Sequence, residues 1–211
     1  MSIGLTGSHR TGKSTLAKAY ALAENVPFIQ TGVSQVFADM GLDPKVDYPL
    51  DVRIEIQRRI LDSLDKQYAT AKGYFITDRT PIDLMAYTLA DVQRQNTTAD
   101  QAKAIAKYVK DCASVTNAHF STLVVIQPGI PVVEEEGKAP ANLAYMEHIT
   151  SLVMGLVVSE PINATHFYIP RAMTNLGERL NCLRKAASRT LEKHQAYIQQ
   201  RAEAGNPVVF H

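Results

Sequence analysis

Residues Gly7-Ser8-His9-Arg10-Thr11-Gly12-Lys13-Ser14 directly follow the apolar run Ser2-Ile3-Gly4-Leu5-Thr6 and read G-x-x-x-x-G-K-[ST]. This is the phosphate-binding loop, and its spacing has a mechanism. A buried strand delivers the chain to a tight turn, and the glycines let backbone N–H groups close around a phosphate. Lys13 then reaches the β- and γ-phosphates of ATP, and the Ser14 hydroxyl becomes a Mg²⁺ ligand. Thr15 opens a strong helical run to Glu24, whose positive N-terminal dipole points at the same phosphates. His9 either contacts phosphate or is an incidental loop residue.

Outward from the loop, strands and helices alternate. Val26–Gln30 reads as a short strand and Val33–Met40 as a short helix. Leu50–Ala71 is a long amphipathic helix, with Ile54, Ile60, Leu61 and Leu64 as its buried stripe and Arg53, Gln57 and Arg58 on another face. Tyr74–Asp78 reads as a buried strand ending on a carboxylate, and Thr80-Pro81 starts a helix to about Asp91. A helix over Ala99–Asn117 precedes Phe120–Ile126, a β-branched run suited to a parallel strand covered on both faces. Pro128–Pro140 is irregular. Ala141–Glu160 is helical, Thr165–Pro170 is the last core strand, and Leu176–Ala204 is a long helix. Pro207–Phe210 either adds an edge strand or frays. The alternation predicts an α/β fold of three layers, with a five-stranded parallel sheet between helices, as one domain spanning residues 1–211.

Composition bounds the function. The 211 residues carry 22 basic and 21 acidic side chains, a net charge of +1. Such balance gives no global field for nucleic acid or anionic membrane, so any anion site must be local. No apolar run reaches membrane-spanning length, and with a strand read from Ser2 no cleavable leader is expected. Cys112 and Cys182 lack metal or redox spacing and suit a reducing compartment, so a cytoplasmic protein is expected.

Asp78-Arg79 forms a second constellation. In an open α/β sheet the ligand lies at the carboxyl ends of the strands. Asp78 there holds Mg²⁺ through water, orients the acceptor, or caps the helix before Pro81. Arg79 either grips a phosphate bidentately or is a solvated charge.

The loop, Asp78-Arg79-Thr80 and the later irregular segment together resemble the P-loop nucleoside and nucleoside-monophosphate kinases. Thymidylate kinases carry Asp-Arg before an aromatic residue, and deoxynucleoside kinases carry Glu-Arg-Ser; this sequence stands between them. The loop with Thr77-Asp78-Arg79-Thr80-Pro81 is also similar to small kinases of bacteriophage genomes and to the ribosylnicotinamide kinase group. The resemblance implies a short lid over about 128–142, with acceptor-binding helices over about 31–72. It makes Lys138, standing among Glu134, Glu135 and Glu136, the lid's cation, with Arg10 as the loop's own cation, and sets Arg171 near the adenine. A homodimer is the superfamily's common state.

On the acceptor side, Gln30, Phe37, Arg53, Gln57 and Arg58 are the candidates, with Gln57 reading a base edge and Phe37 or Tyr48 stacking on it. The resemblance puts a carboxylate base just past the second strand of deoxynucleoside kinases, and here that place reads Gln30-Thr31. A monophosphate acceptor needs cations rather than a base, and Arg53, Arg58 and Arg79 supply them. The expected function is phosphoryl transfer from Mg-ATP to a (deoxy)nucleoside monophosphate. The alternatives are a 5′-hydroxyl kinase acting on a nucleoside or ribosylnicotinamide, and a partner-dependent ATPase.

Overall fold

Alternating side chains of one strand build both halves of the core. In β4 (Thr122–Ile126), Leu123 and Val125 face one side of the sheet while Val124 and Ile126 face the other, the period-two rule of a pleated strand. The computed structural model describes residues 2–44, 46–71, 73–92, 96–132 and 142–204. Within them β1 (Ile3–Thr6), β2 (Phe28–Ile29), β3 (Ile76–Thr77), β4 and β5 (Thr165–Ile169) form one sheet in the order β2-β3-β1-β4-β5. Every pairing is parallel, with Ile3 opposite both Ile76 and Thr122.

The helices are α1 (Lys13–Glu24), α2 (Val33–Asp39), α3 (Leu50–Thr70), α4 (Pro81–Val92), α5 (Ala99–His119), α6 (Leu143–Ser159) and α7 (Leu176–Glu203). On one face Leu123 and Val125 pack with Leu64 of α3, Met85 of α4, Cys112 of α5 and Ile149 of α6. On the other, Ile3, Leu5, Val124 and Ile126 meet Leu16 of α1 and Leu183 of α7. Each such fully buried aliphatic side chain stabilises the fold by roughly 1.5–3 kcal/mol. The expected three-layer α/β arrangement is present, and all four expected stripe residues of α3 are buried. Cys112 is buried, Cys182 is half-buried, and both are free thiols. Among the described residues, no helix is long and apolar enough to cross a membrane.

Two strands are shorter than the sequence suggests. Pairing in β2 and β3 covers two residues each, although the adjoining carbonyls of Pro27 and Phe75 still accept the N–H groups of Ile76 and Ile3. Beyond them Gln30 and Asp78 leave the ladder and turn into a cavity. α1 starts earlier than expected, at Lys13, because Gly12 itself takes the left-handed N-cap position at φ 80°. Lys138 with most of the expected lid, and the expected edge strand 207–210, lie outside the described residues.

β1 is central, with β3 on one side and β4 on the other. The chain reverses its direction of travel across the sheet there, and the crevice at the carboxyl end of β1 is where such sheets bind ligands.

Candidate functional site

The loop after β1 is held from several sides. Gly7 sits at φ 139°, and a Cβ there would lie 2.5 Å from the Ile126 carbonyl oxygen, so only glycine fits beside β4. The Gly7 N–H donates to Asp83 Oδ1 at 2.8 Å inside the protein. Thr11 Oγ1 donates to the Ser8 carbonyl at 3.0 Å, and the His9 N–H donates to Tyr87 Oη at 3.2 Å. Arg10 takes a left-handed φ of 58°. Lys13 Nζ donates to the carbonyls of Gly7 and Ser8, both at 2.6 Å. No side chain caps the first turn of α1, which leaves its N–H groups and dipole facing the crevice. Burial pushes the Lys13 ammonium below its ordinary pKa, a trend that Asp83 opposes. Burial, then Lys13 and Arg10, push the His9 imidazole down as well.

Asp78 meets the loop directly: Ser14 Oγ donates to its Oδ2. Its other oxygen, Oδ1, is buried without a hydrogen-bond partner. The capping alternative for Asp78 has no hydrogen bond behind it, since neither carboxylate oxygen accepts from α4; Asp83 instead ties down Thr80 just before that helix. Asp83 Oδ2 accepts both the N–H and the hydroxyl of Thr80, at 2.7 and 3.1 Å. One buried carboxylate thereby binds the first glycine of the loop to the helix that follows Asp78-Arg79. Asp83 is not among the residues singled out from the sequence; the signal that could have found it is the Thr80-x-x-Asp83 spacing, a shortened capping box.

Two cavities open here. The first, about 700 Å³, is lined by His9 to Thr15, with Gln30, Asp78 and Arg79 on one side and Ile130, Leu176 and Arg179 on the other. The second, about 610 Å³, is lined by Phe37, Tyr48, Arg53, Gln57, Tyr87 and Asp91. Arg79 and Val33 line both, so the cavities adjoin at the Arg79 side chain.

The expected acceptor residues divide. Phe37, Arg53 and Gln57 line the second cavity, while Gln30 lines the first. Gln57 Oε1 is buried without a partner. Arg53 is ion-paired to Asp47 at 2.5 Å and to Asp91 at 2.7 Å; burial raises the Asp91 pKa, and Arg53 opposes the rise. Arg58 is not in either cavity. It turns toward α5, where its Nη2 donates to the Ala104 carbonyl at 3.4 Å. The cause is helical: Arg53 and Gln57 are four residues apart and share a face, whereas Arg58 lies about 100° further round.

Arg171 also departs from expectation. It is exposed and doubly paired with Glu147 on α6, its Nη2 reaching Oε2 at 2.5 Å. The basic side chain that the end of the sheet delivers to the first cavity is Arg179, three residues into α7 and 1% exposed. Its signal was present: Arg179, Leu183, Ala186, Ala187 and Thr190 form the buried stripe of α7 at helical spacing, and a charge within such a stripe is the exception to explain.

Ser14 and Asp78 form a donor set that suits Mg²⁺. One hydroxyl and one carboxylate with a spare buried oxygen match an ion that keeps waters and takes its other ligands from phosphates. Among the described residues no cluster of three or more His, Cys, Asp or Glu side chains could hold a metal by itself.

A family model described as an AAA domain matches residues 2–116, more than half of the 211 residues. No curated protein matches the sequence. Among solved structures, deoxyadenosine kinase from M. mycoides with dCMP and dCDP bound is similar at a TM-score of 0.64 and 14% identity, over 89% of this chain and 99% of that one. The same kinase with dATP gives 0.60 and 16%, over 89% and 100%. The YorR protein of Bacillus subtilis in complex with phosphorylated GDP gives 0.55 and 13%, over 92% and 98%. The matched stretch holds the loop, Asp78, Arg79 and Asp83 together, and the chain belongs to this AAA-domain family, on a P-loop fold that it shares with nucleoside kinases.

Proposed function

We propose that the protein transfers the γ-phosphoryl group of Mg-ATP to a (deoxy)nucleoside monophosphate, giving the diphosphate. The observation that carries this reading is the junction of two cavities at Arg79: one holds a phosphate loop, and the other has the size and lining of a nucleoside site. Solved relatives on this fold bind dCMP, dCDP and dATP, which supports nucleotides as the ligand class.

The roles follow from chemistry. Backbone N–H groups of the loop and the N-terminus of α1 hold the donor's phosphates, and Lys13 and Arg10 neutralise charge that develops as the phosphoryl group moves. Ser14 and Asp78 would hold Mg²⁺, which when bound would supply positive charge that offsets the negative charge of the donor's phosphates. Arg79 orients the acceptor phosphate in line with the donor, where its planar fork suits a phosphate face. Gln57 offers its unpartnered amide oxygen to a donor group on the base, and Phe37 and Tyr48 supply apolar and aromatic walls.

A second reading, a 5′-hydroxyl kinase, has its own support. Arg58 faces α5 and Arg53 is neutralised by two carboxylates, so Arg79 is the one of the three expected acceptor cations left for a phosphate. Asp78 Oδ1, buried and unpartnered, is also suitably placed to accept a hydroxyl proton. The two readings separate in one assay: ADP release from Mg-ATP with a panel of nucleosides and nucleoside monophosphates. Turnover above the no-acceptor rate with a monophosphate supports the first; turnover with nucleosides alone replaces it with the second. Acceptor-independent hydrolysis alone overturns both in favour of a partner-dependent ATPase.

A further inference from the structure

A buried guanidinium behind the phosphate loop has, among the described residues, two neutral partners and no anion. Arg179 Nε donates to the Met173 carbonyl at 2.6 Å and Nη1 to the Thr11 carbonyl at 2.8 Å. Nη2 is buried with no hydrogen-bond partner. Among the described residues no carboxylate lies within ion-pair distance of it, in contrast to the exposed Arg171 and Arg184, each paired with a glutamate. Burial also lowers the Arg179 pKa, with no nearby charge acting against that trend.

Charges buried without a counter-charge are costly, and proteins seldom keep one in a packed stripe. Position says what offsets it here. Arg179 lines the same cavity as Lys13 and Ser14. A Cβ placed on Gly12 would lie 3.4 Å from Nη1, so the guanidinium rests against the second glycine of the loop. Its bond to Thr11 also fixes the peptide that precedes Gly12. In a low-dielectric setting, a cation so placed acts across the thin backbone of the loop on whatever the loop encloses.

Building on the donor-site reading above, we propose that Arg179 is a positioning residue of that site: from behind the loop it supplies the positive charge that complements the donor's triphosphate, and it holds the Thr11–Gly12 turn in binding shape. Its action is on phosphate rather than on base or acceptor. Removing the charge therefore weakens every polyphosphate alike, while a lysine that keeps the charge but loses the fork retains part of the effect.

The test is calorimetric titration of the full chain and of Arg179→Met and Arg179→Lys with Mg-ATP and, separately, with Mg-tripolyphosphate. Arg179→Met is expected to raise both dissociation constants by about tenfold or more, the usual weight of a charge-assisted contact. Arg179→Lys, which keeps the charge but not the fork that reaches both Met173 and Thr11, should fall between wild type and the methionine variant, and the acceptor KM should be unchanged in both. Three results overturn the proposal: wild-type affinity in Arg179→Met, loss of ATP binding with tripolyphosphate binding intact, or Arg179→Lys as weak as the methionine variant. If Arg179→Met does not fold, the thermal shift induced by Mg-tripolyphosphate in Arg179→Gln substitutes, and a wild-type shift there overturns it equally. A wild-type chain that binds neither probe removes the donor-site reading itself, whereas normal wild-type binding with an unaffected variant removes only the role of Arg179.

Discussion

The two cavities are built from different materials. The loop-side cavity is built around one contiguous stretch of chain: residues 9–15 line it in one run, and Gly7 and Gly12 shape that run through their φ angles. The second cavity has no such run. Phe37 comes from α2, Arg53 and Gln57 from α3, and Tyr87 and Asp91 from α4. A site built around one stretch depends on spacing along the chain. A site assembled from several helices depends on how they rotate and pack against one another, so a difference of one residue on α3 separates Gln57 in the cavity from Arg58 outside it.

If that contrast holds, changes at the first cavity abolish chemistry, and changes at the second redirect it. Lys13→Ala is expected to lower kcat by at least about a hundredfold, the cost of losing one preorganised charge at the transferring group, with an unchanged circular dichroism spectrum. Full activity in that variant breaks the loop's assignment. Arg79→Ala tests the junction. It should raise the acceptor KM by about tenfold, the weight of one charged hydrogen bond, while the ATP KM stays within about twofold. Equal losses on both substrates move Arg79 to the donor side.

This contrast also sets what the sequence can reveal. The loop, the β-branched β4 and the alternation of strands with helices were all legible, because each depends on local spacing. Asp78 at a strand end was legible as a position but not in its contacts: only the structure puts the Ser14 hydroxyl on its Oδ2 and gives Thr80 to Asp83. Arg171, which the resemblance sets near the adenine, lines neither cavity, whereas Arg179, which the sequence does not single out, lines the first. Both lie near the end of β5, and proximity in sequence favoured the first, whereas burial selects the second: Arg171 finds Glu147 in solvent, and Arg179 is drawn under the loop by the apolar stripe it belongs to.

Smaller effects sharpen the same distinction. Asp83→Asn removes the charge that accepts from Gly7 and Thr80 but preserves the shape. Charged hydrogen bonds of this kind contribute about 1.5–3 kcal/mol, so urea unfolding should show a loss in that range; an unchanged midpoint would mean that the Gly7 contact is dispensable. Gln57→Leu replaces an amide whose oxygen is buried and unpartnered. The fold should keep or slightly gain stability, since an unsatisfied acceptor is removed, while the acceptor KM rises by about threefold to tenfold. A variant with normal KM would remove Gln57 from base recognition.

The smallest effect, at His9, distinguishes the cavities by pH. Its pKa is lowered from 6.5 by burial, then by Lys13 and Arg10, so the folded chain holds its proton less tightly than the unfolded chain does. Stability from His9 is therefore fully present above the ordinary value and lost as pH falls through the lowered one. Half-exposure and solvent screening keep this contribution well under about 1 kcal/mol. Relative to His9→Gln, the wild type should lose stability on acidification. Bound phosphates reverse the bias, because they favour the charged imidazole, so wild-type affinity for Mg-ATP should improve relative to the variant over the same interval. Acceptor KM, read beside it, should show no such difference between the two proteins. A pH-dependent difference in acceptor KM, with none in ATP affinity, would place His9 with the second cavity, through the Tyr87 hydroxyl that it already contacts.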